Sequence, residues 1–203
     1  MKKNLFKLFI TTIILIFSSQ SQVFAQNAMS DLEQNINNVI KLLKDSKKIG
    51  TPDSKKILRK QIFQMALDIF DFPEMSQRTL GKNWKKITPD QQKIFSDLFA
   101  RFLANIYYNR LEEYTDEKVK FIDQHQRGDN KTLIKTLIVT KSKEIPMDYS
   151  LVKKDRWRIY DVSIEGVSLV RNYRSQFKKI LRKNGINDLI AMMKKKLGQF
   201  SNI

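Results

Sequence analysis

The spacing of apolar residues changes character twice along the chain. Leu32, Ile36, Val39/Ile40 and Leu43 recur every three or four positions with polar residues between them, which predicts a helix over Ser30–Lys48. Gly50-Thr51-Pro52 stops it, and Asp53 or Ser54 is placed to cap a second helix with the stripe Ile57/Leu58, Ile62, Met65/Ala66 and Ile69. Asp71-Phe72-Pro73-Glu74-Met75 breaks that helix and opens a short one that ends near Leu80-Gly81. The sharpest local signal is Thr88-Pro89-Asp90-Gln91. Thr88 can cap, Pro89 suits the first helical position, Asp90 suits the positive end of the helix dipole, and Gln91 closes a capping box. The helix that follows carries Ile94/Phe95, Leu98/Phe99, Phe102/Leu103, Ile106/Tyr107 and Leu111. Roughly 23 residues at 1.5 Å each make it about 35 Å long, and its wide aromatic stripe must lie on a large apolar surface.

After Tyr114 the period becomes two. Strands are predicted over Val119–His125, Thr132–Thr140, Ile145–Leu151 and Trp157–Ile164, with turns at Arg127-Gly128-Asp129-Asn130 and Lys153-Lys154-Asp155, and Gly166 as the end. Short connections make these an antiparallel meander. Helices close the chain over Ser168–Lys183 and Asn187–Leu197, broken at Asn184-Gly185. The architecture is α+β: N-terminal helices, a four-stranded antiparallel meander, and C-terminal helices packed on the sheet. Plain alternation sends Trp157 and Ile159 to one face of the last strand, and Tyr160, Val162 and Ile164 to the other. A strand apolar on both sides needs helices on both, or an apolar ligand filling part of the space.

Composition narrows the chemistry. The 203 residues contain no Cys and a single His, which removes disulfides, thiolate sites, lipoprotein acylation and His-rich metal clusters. Residues 1–25 read as a secretory signal peptide: Lys2, Lys3 and Lys7, then the apolar run Leu8 to Phe17, then Val23-Phe24-Ala25 before a cut at Gln26. That run is about half the length of a bilayer span. Residues 26–203 are then one exported domain. The net charge is +17, from 38 basic and 21 acidic residues. It invites an anionic partner, either a membrane face or nucleic acid. Lys scattered along the whole chain is the ordinary sign of solvated helix faces, and that reading carries more weight. Export and the lack of aromatics interleaved with a basic strip speak against nucleic acid.

No catalytic constellation stands out, so an enzyme is not expected. His125, between Gln124 and Gln126 at a strand end, reads as a surface residue rather than a general base. Gly166-Val167-Ser168 lacks the second glycine of a nucleophile elbow, and Ser168 fits the first turn of a helix. Glu112-Glu113 and Asp116-Glu117 are neighbours that do not converge.

Several segments then follow one another in a recognisable order. They are Phe70-Asp71-Phe72-Pro73-Glu74-Met75-Ser76, Leu80-Gly81 with Trp84, Thr88-Pro89 with Gln91, Gln92 and Phe95, and then Tyr107 and Leu111. Ile145-Pro146-Met147-Asp148-Tyr149 comes next, and the run from Trp157 to Phe177, with Ile164-Glu165-Gly166-Val167-Ser168-Leu169-Val170 and Asn172-Tyr173-Arg174, is the longest. This pattern resembles the MlaC family, the periplasmic phospholipid-binding components of the Mla system, also called the toluene-tolerance auxiliary proteins. The likeness runs from about Leu32 to Leu197 and is weakest over Val119 to Thr140.

The resemblance implies a monomeric periplasmic carrier without cofactor, metal or catalytic residues. Its cargo is phospholipid, its acyl chains held in an apolar cavity between sheet and helices. Its implied partners are an inner-membrane ABC transporter complex with its substrate-binding ring and an outer-membrane lipoprotein–porin complex, and its role is to maintain outer-membrane lipid asymmetry. Another apolar cargo such as a hopanoid, a lipid hydrolase using His125 or a carboxylate pair, or a basic adaptor without a cavity are the alternatives. A diacyl lipid with roughly 30 methylenes is held in a bilayer by about 24 kcal/mol, so a carrier must offer a comparably apolar cavity, approaching ~1,000 Å³. The candidate lining is Phe99, Phe102, Leu103, Leu137, Met147, Tyr149, Tyr160, Val162, Val167, Leu169 and Val170, each equally a candidate for closed core. Arg171 and Arg174 are placed to meet a phosphate at the mouth, although solvation or an internal ion pair is the commoner fate of such residues.

Overall fold

A computed structural model of the chain describes residues 28–45, 51–112 and 117–200. The expected signal peptide lies outside them, as do residues 46–48 of the first helix and two acids of the paired carboxylates, Glu113 and Asp116. Helix α1 covers residues 28–45 and α2 covers Pro52–Ile69. The cap of α2 differs from expectation: Thr51, one residue ahead of Pro52, accepts from the Ser54 amide at 3.2 Å. A proline at the first helical position displaces the cap to the residue before it.

Helix α3 covers Phe72–Leu80, with Asp71 accepting from the Glu74 amide at 3.0 Å as its cap. Gly81 ends it at φ 55°, ψ −126°, a conformation essentially reserved for glycine. A 3-10 turn over Gly81–Lys86 leads to α4, Pro89–Glu112. The capping box forms as its residues require. Thr88 N donates to Gln91 Oε1 at 3.0 Å, and Gln91 N donates to Thr88 Oγ1 at 3.2 Å.

The sheet is an antiparallel meander of β1 (Lys118–Gln126), β2 (Lys131–Val139), β3 (Glu144–Lys153), β4 (Trp157–Ile164) and β5 (Val167–Ser168). It has five strands, not four. Glu165 and Gly166, at φ 49° and 79°, make a two-residue turn of the kind that suits hairpin twist, and the chain doubles back for one short pairing with Ser163 and Ile164. Beyond β5, Phe70 runs beside Ile159 in a parallel bridge, and Asp71 N donates to Ile159 O at 2.8 Å.

Helix α5 spans Leu169–Phe200 and is two helices in effect, broken at Gly185 with φ 80°, ψ −174°. Ser168 starts it: its Oγ accepts from Arg171 N at 3.1 Å and donates to Asp161 Oδ2 at 2.5 Å, while Asp161 Oδ1 takes Val170 N at 3.1 Å. That accounts for the Gly-Val-Ser segment as a helix start. Among the described residues, no helix is long and apolar enough to cross a membrane.

Candidate functional site

The apolar interior is divided. One cluster joins α4 and α5 through Phe95, Phe99, Phe102, Tyr173 and Phe177, whose rings meet at centroid distances of 5.6–6.1 Å, with Phe72, Met75 and Leu80 of α3 beside them. A second lies on one face of the sheet under α1, with Ile134, Tyr149, Leu151, Trp157, Ile159 and Val162 beneath Ala28 and Leu32. A third sits where α1, α2 and α4 meet, around Leu43, Leu58, Ile62 and Tyr108. Phe70 packs against both of the larger clusters. A fold of this size usually buries a single contiguous core, so the seams between clusters are where chain contacts are thinnest.

The candidate lining residues fall on both sides of this division. Phe99, Phe102, Leu103, Tyr160 and Val170 belong to the helical cluster. Tyr149 and Val162 belong to the sheet cluster, with Met147 and Leu169 half-buried against it. Leu137 is half-buried and pairs with Pro146, which puts it on the opposite face from Ile134 and Thr136. Val167 is 58% exposed on β5 and does not reach the interior.

The expected facing of β4 is corrected by a bulge. Ser150 pairs with Asp161 and Leu151 with Ile159, so Tyr160 is an extra residue. Its insertion reverses the alternation, and Trp157, Ile159, Val162 and Ile164 all join the sheet cluster while Tyr160 alone joins the helical one. The Arg78 guanidinium stacks 4.1 Å from the Tyr160 ring centroid and pairs with Glu74 at 2.7 Å.

The register exposes rows that single strands conceal. Gln124, Ile134, Tyr149 and Val162 form a central row; Phe121, Thr136, Met147 and Ile164 form the next; Val119, Ile138 and Ile145 form the end. Ile134, Tyr149 and Val162 are buried, whereas Phe121, Met147, Ile164 and the three residues of the end row are half-buried. The apolar face therefore grades toward solvent at that end of the sheet. Two of its polar groups bond within the sheet: Thr136 Oγ1 donates to Met147 O at 2.8 Å, and the Tyr149 hydroxyl meets Met147 Sδ at 2.8 Å. Burial pushes the Tyr149 phenol well up. Both amide atoms of Gln124 are buried without a hydrogen-bond partner among the described residues, an arrangement that costs about 1–3 kcal/mol. Phe121, Ile134, Ile138, Ile145, Leu151, Ile159 and Ile164 were not among the candidates. Matching β2 parity to β3 would have selected Ile134 and Ile138 over Leu137.

One cleft of about 240 Å³ lies between Asp31, Asn35, Asp68, Arg156 and Trp157, and another of about 360 Å³ between Leu98, Arg101, Asn105, Lys194 and Leu197. Both are open to solvent and partly polar. Arg174, a candidate for phosphate, instead donates through Nε to the Arg78 carbonyl at 2.7 Å at the end of α3. His125 pairs with Asp123 at 2.9 Å with both side chains about half exposed, 47% and 51%. No three His, Asp or Glu side chains gather as a metal would need, among the described residues.

Fold and site together define an α+β protein whose sheet offers one apolar face to covering helices. The same fold occurs in a phospholipid-binding protein from Ralstonia solanacearum, solved in complex with a phospholipid, with a TM-score of 0.74, 22% identity, and coverage of 86% of this chain and 99% of that one. The chain belongs to the MlaC protein family, whose profile matches residues 33–195. It is 25% identical over 128 residues to the intermembrane phospholipid transport system binding protein MlaC of Haemophilus influenzae, covering 60% of each chain. It is 30% identical over 108 residues to the toluene tolerance protein ttg2D of Pseudomonas putida, covering 52% of this chain and 49% of that one. The aligned region thus spans about half to three-fifths of these curated relatives.

Proposed function

We propose that the protein is a non-catalytic periplasmic carrier of phospholipid, the soluble member of an Mla-type transport system. In this reading it exchanges lipid between an inner-membrane ABC transporter complex with its substrate-binding ring and an outer-membrane lipoprotein–porin complex, and so helps keep the outer membrane asymmetric. Membership of the MlaC family carries the reading. The graded apolar face of the sheet supports it with a place for alkyl chains, running from the half-buried rows around Met147 and Ile145 toward the buried row around Tyr149. Loading requires α1 to lift from the sheet, opening the cluster that Ala28 and Leu32 cover. That opening leaves the larger cluster between α3, α4 and α5 undisturbed, so it costs less than global unfolding. Each methylene that then lies on the uncovered apolar face returns about 0.8 kcal/mol toward the cost of opening.

The test is direct. Protein purified from its native compartment is extracted with organic solvent and the extract examined by mass spectrometry. Phospholipid near one molecule per protein is expected. An extract without lipid overturns the reading, and a hopanoid in place of phospholipid overturns the cargo assignment while keeping the carrier.

A further inference from the structure

Basic residues occur along the whole chain, but the acids that would neutralise them do not. Helix α5 contains nine Lys and Arg against one acid, Asp188, a net +8 out of the chain's +17. All nine basic side chains are exposed. None has a carboxylate within 4.0 Å among the described residues, in contrast to Arg78, Lys120, Lys154, Arg156 and Arg158 elsewhere. Arg171, Arg174, Lys178 and Arg182 are spaced by three, four and four residues and so share one face of the first half of the helix, with Lys179 and Lys183 beside it. Like charges at that spacing repel by a few tenths of a kcal/mol per pair. The fold keeps this repulsion although Asp or Glu at any of those exposed positions would relieve it.

We propose that α5 is the surface by which the protein settles on an anionic lipid bilayer. The character of the face selects a lipid surface over an acidic protein. A protein interface is anchored by a desolvated apolar centre. Among the described residues, the large exposed hydrophobic ones, Ile57, Leu67, Ile94, Ile122 and Val167, all lie outside α5. Six of the nine cations are Lys, whose hydrated point charges suit a plane of phosphates better than the bidentate geometry of a specific protein pair. At 1.5 Å per residue, Leu169 to Asn184 presents a strip about 24 Å long, enough to cover several headgroups. A further cleft stands near the helix's C-terminal end, where Lys194 faces Arg101 of α4 over the apolar Leu98 and Leu197, and neither cation has a carboxylate partner among the described residues. This surface deepens the carrier reading, on which it rests, since a carrier must draw its cargo from a bilayer or from a complex embedded in one.

Vesicle sedimentation tests it. Purified protein is mixed with phosphatidylcholine vesicles, with or without roughly 30% phosphatidylglycerol, at low and high salt. Binding is expected only with phosphatidylglycerol and is expected to fade at high salt. A cation near such a surface contributes about a fivefold factor, so the combined Lys178→Gln, Lys179→Gln, Arg182→Gln variant should bind about a hundredfold more weakly. Lys141→Gln with Lys143→Gln, in the β2–β3 turn, should bind as the parent does. Equal binding to neutral vesicles, or a triple variant that binds undiminished with its helicity intact by circular dichroism, overturns the proposal. So does an equal loss in the turn variant. Retention on polyglutamate beads without binding to anionic vesicles assigns α5 to an acidic protein instead. Lipid extracted from the triple variant should match the parent, so loss of docking is distinguishable from failure of the carrier reading itself.

Discussion

Placing a carboxylate at Met147 is the most informative single perturbation. Met147 sits in the half-buried row Phe121, Thr136, Met147 and Ile164. Four strands at about 4.8 Å spacing make that row about 14 Å across. An alkyl chain lying along it would contact Met147 with roughly five methylenes. A glutamate there forfeits about 0.8 kcal/mol for each, about 4 kcal/mol in all, or close to a thousandfold in occupancy. The fold should tolerate the change, because the side chain is not fully buried and can reach water at the open end of the sheet. Met147→Leu keeps the position apolar and should load normally, at a stability cost of about 1–3 kcal/mol for the buried Tyr149 hydroxyl that loses its Sδ contact. The assay is extracted phosphorus per protein, with thermal melting by circular dichroism to confirm folding. A folded Met147→Glu protein that carries as much lipid as the parent refutes the placement of the cargo on this face.

Other expectations follow from the packing. Phe99, fully buried among Phe95, Tyr173 and Phe177, should cost about 3–5 kcal/mol when changed to Ala, lowering Tm by about 6–20 °C in a scanning melt. Thr88→Ala removes one half of the capping box and should cost about 1 kcal/mol, read as a shift of about 2–4 °C. Burial raises the Tyr173 phenol to about 12, so the unfolded chain releases this proton first as pH rises above 10. Stability should therefore fall between pH 10 and about 12, and the urea midpoint of Tyr173→Phe should fall less over that interval than the parent's.

Much of the architecture is legible in the residues because it is set locally. The capping box at Thr88, the stop at Gly81 and the break at Gly185 each depend on neighbours within a few positions. Strand existence follows from alternation in the same way. What the sequence conceals is relational. Tyr160 carries no mark of a bulge, being neither glycine nor proline, yet its insertion opposite Ser150 and Leu151 reverses the facing of half of β4. Strand β2 is apolar on both faces, with Leu133 and Leu137 on one and Ile134 and Ile138 on the other, so only its register with β3 decides which set meets α1. The two-residue β5 is too short for any periodic signal. The charge of α5 was visible as composition but not as a surface, since what distinguishes it is where acids are missing.

The way the sheet is bordered has a consequence for handling the protein at high concentration. Along β4, the backbone groups that would otherwise recruit another chain are taken at one end by β5 and at the other by the Phe70–Asp71 segment. The far border, β1, is studded with Lys118 and Lys120 and kinked where Ile122 has no partner across the ladder. Cross-strand stacking between copies, the usual start of fibrils and gels, is thus blocked on one flank and discouraged on the other.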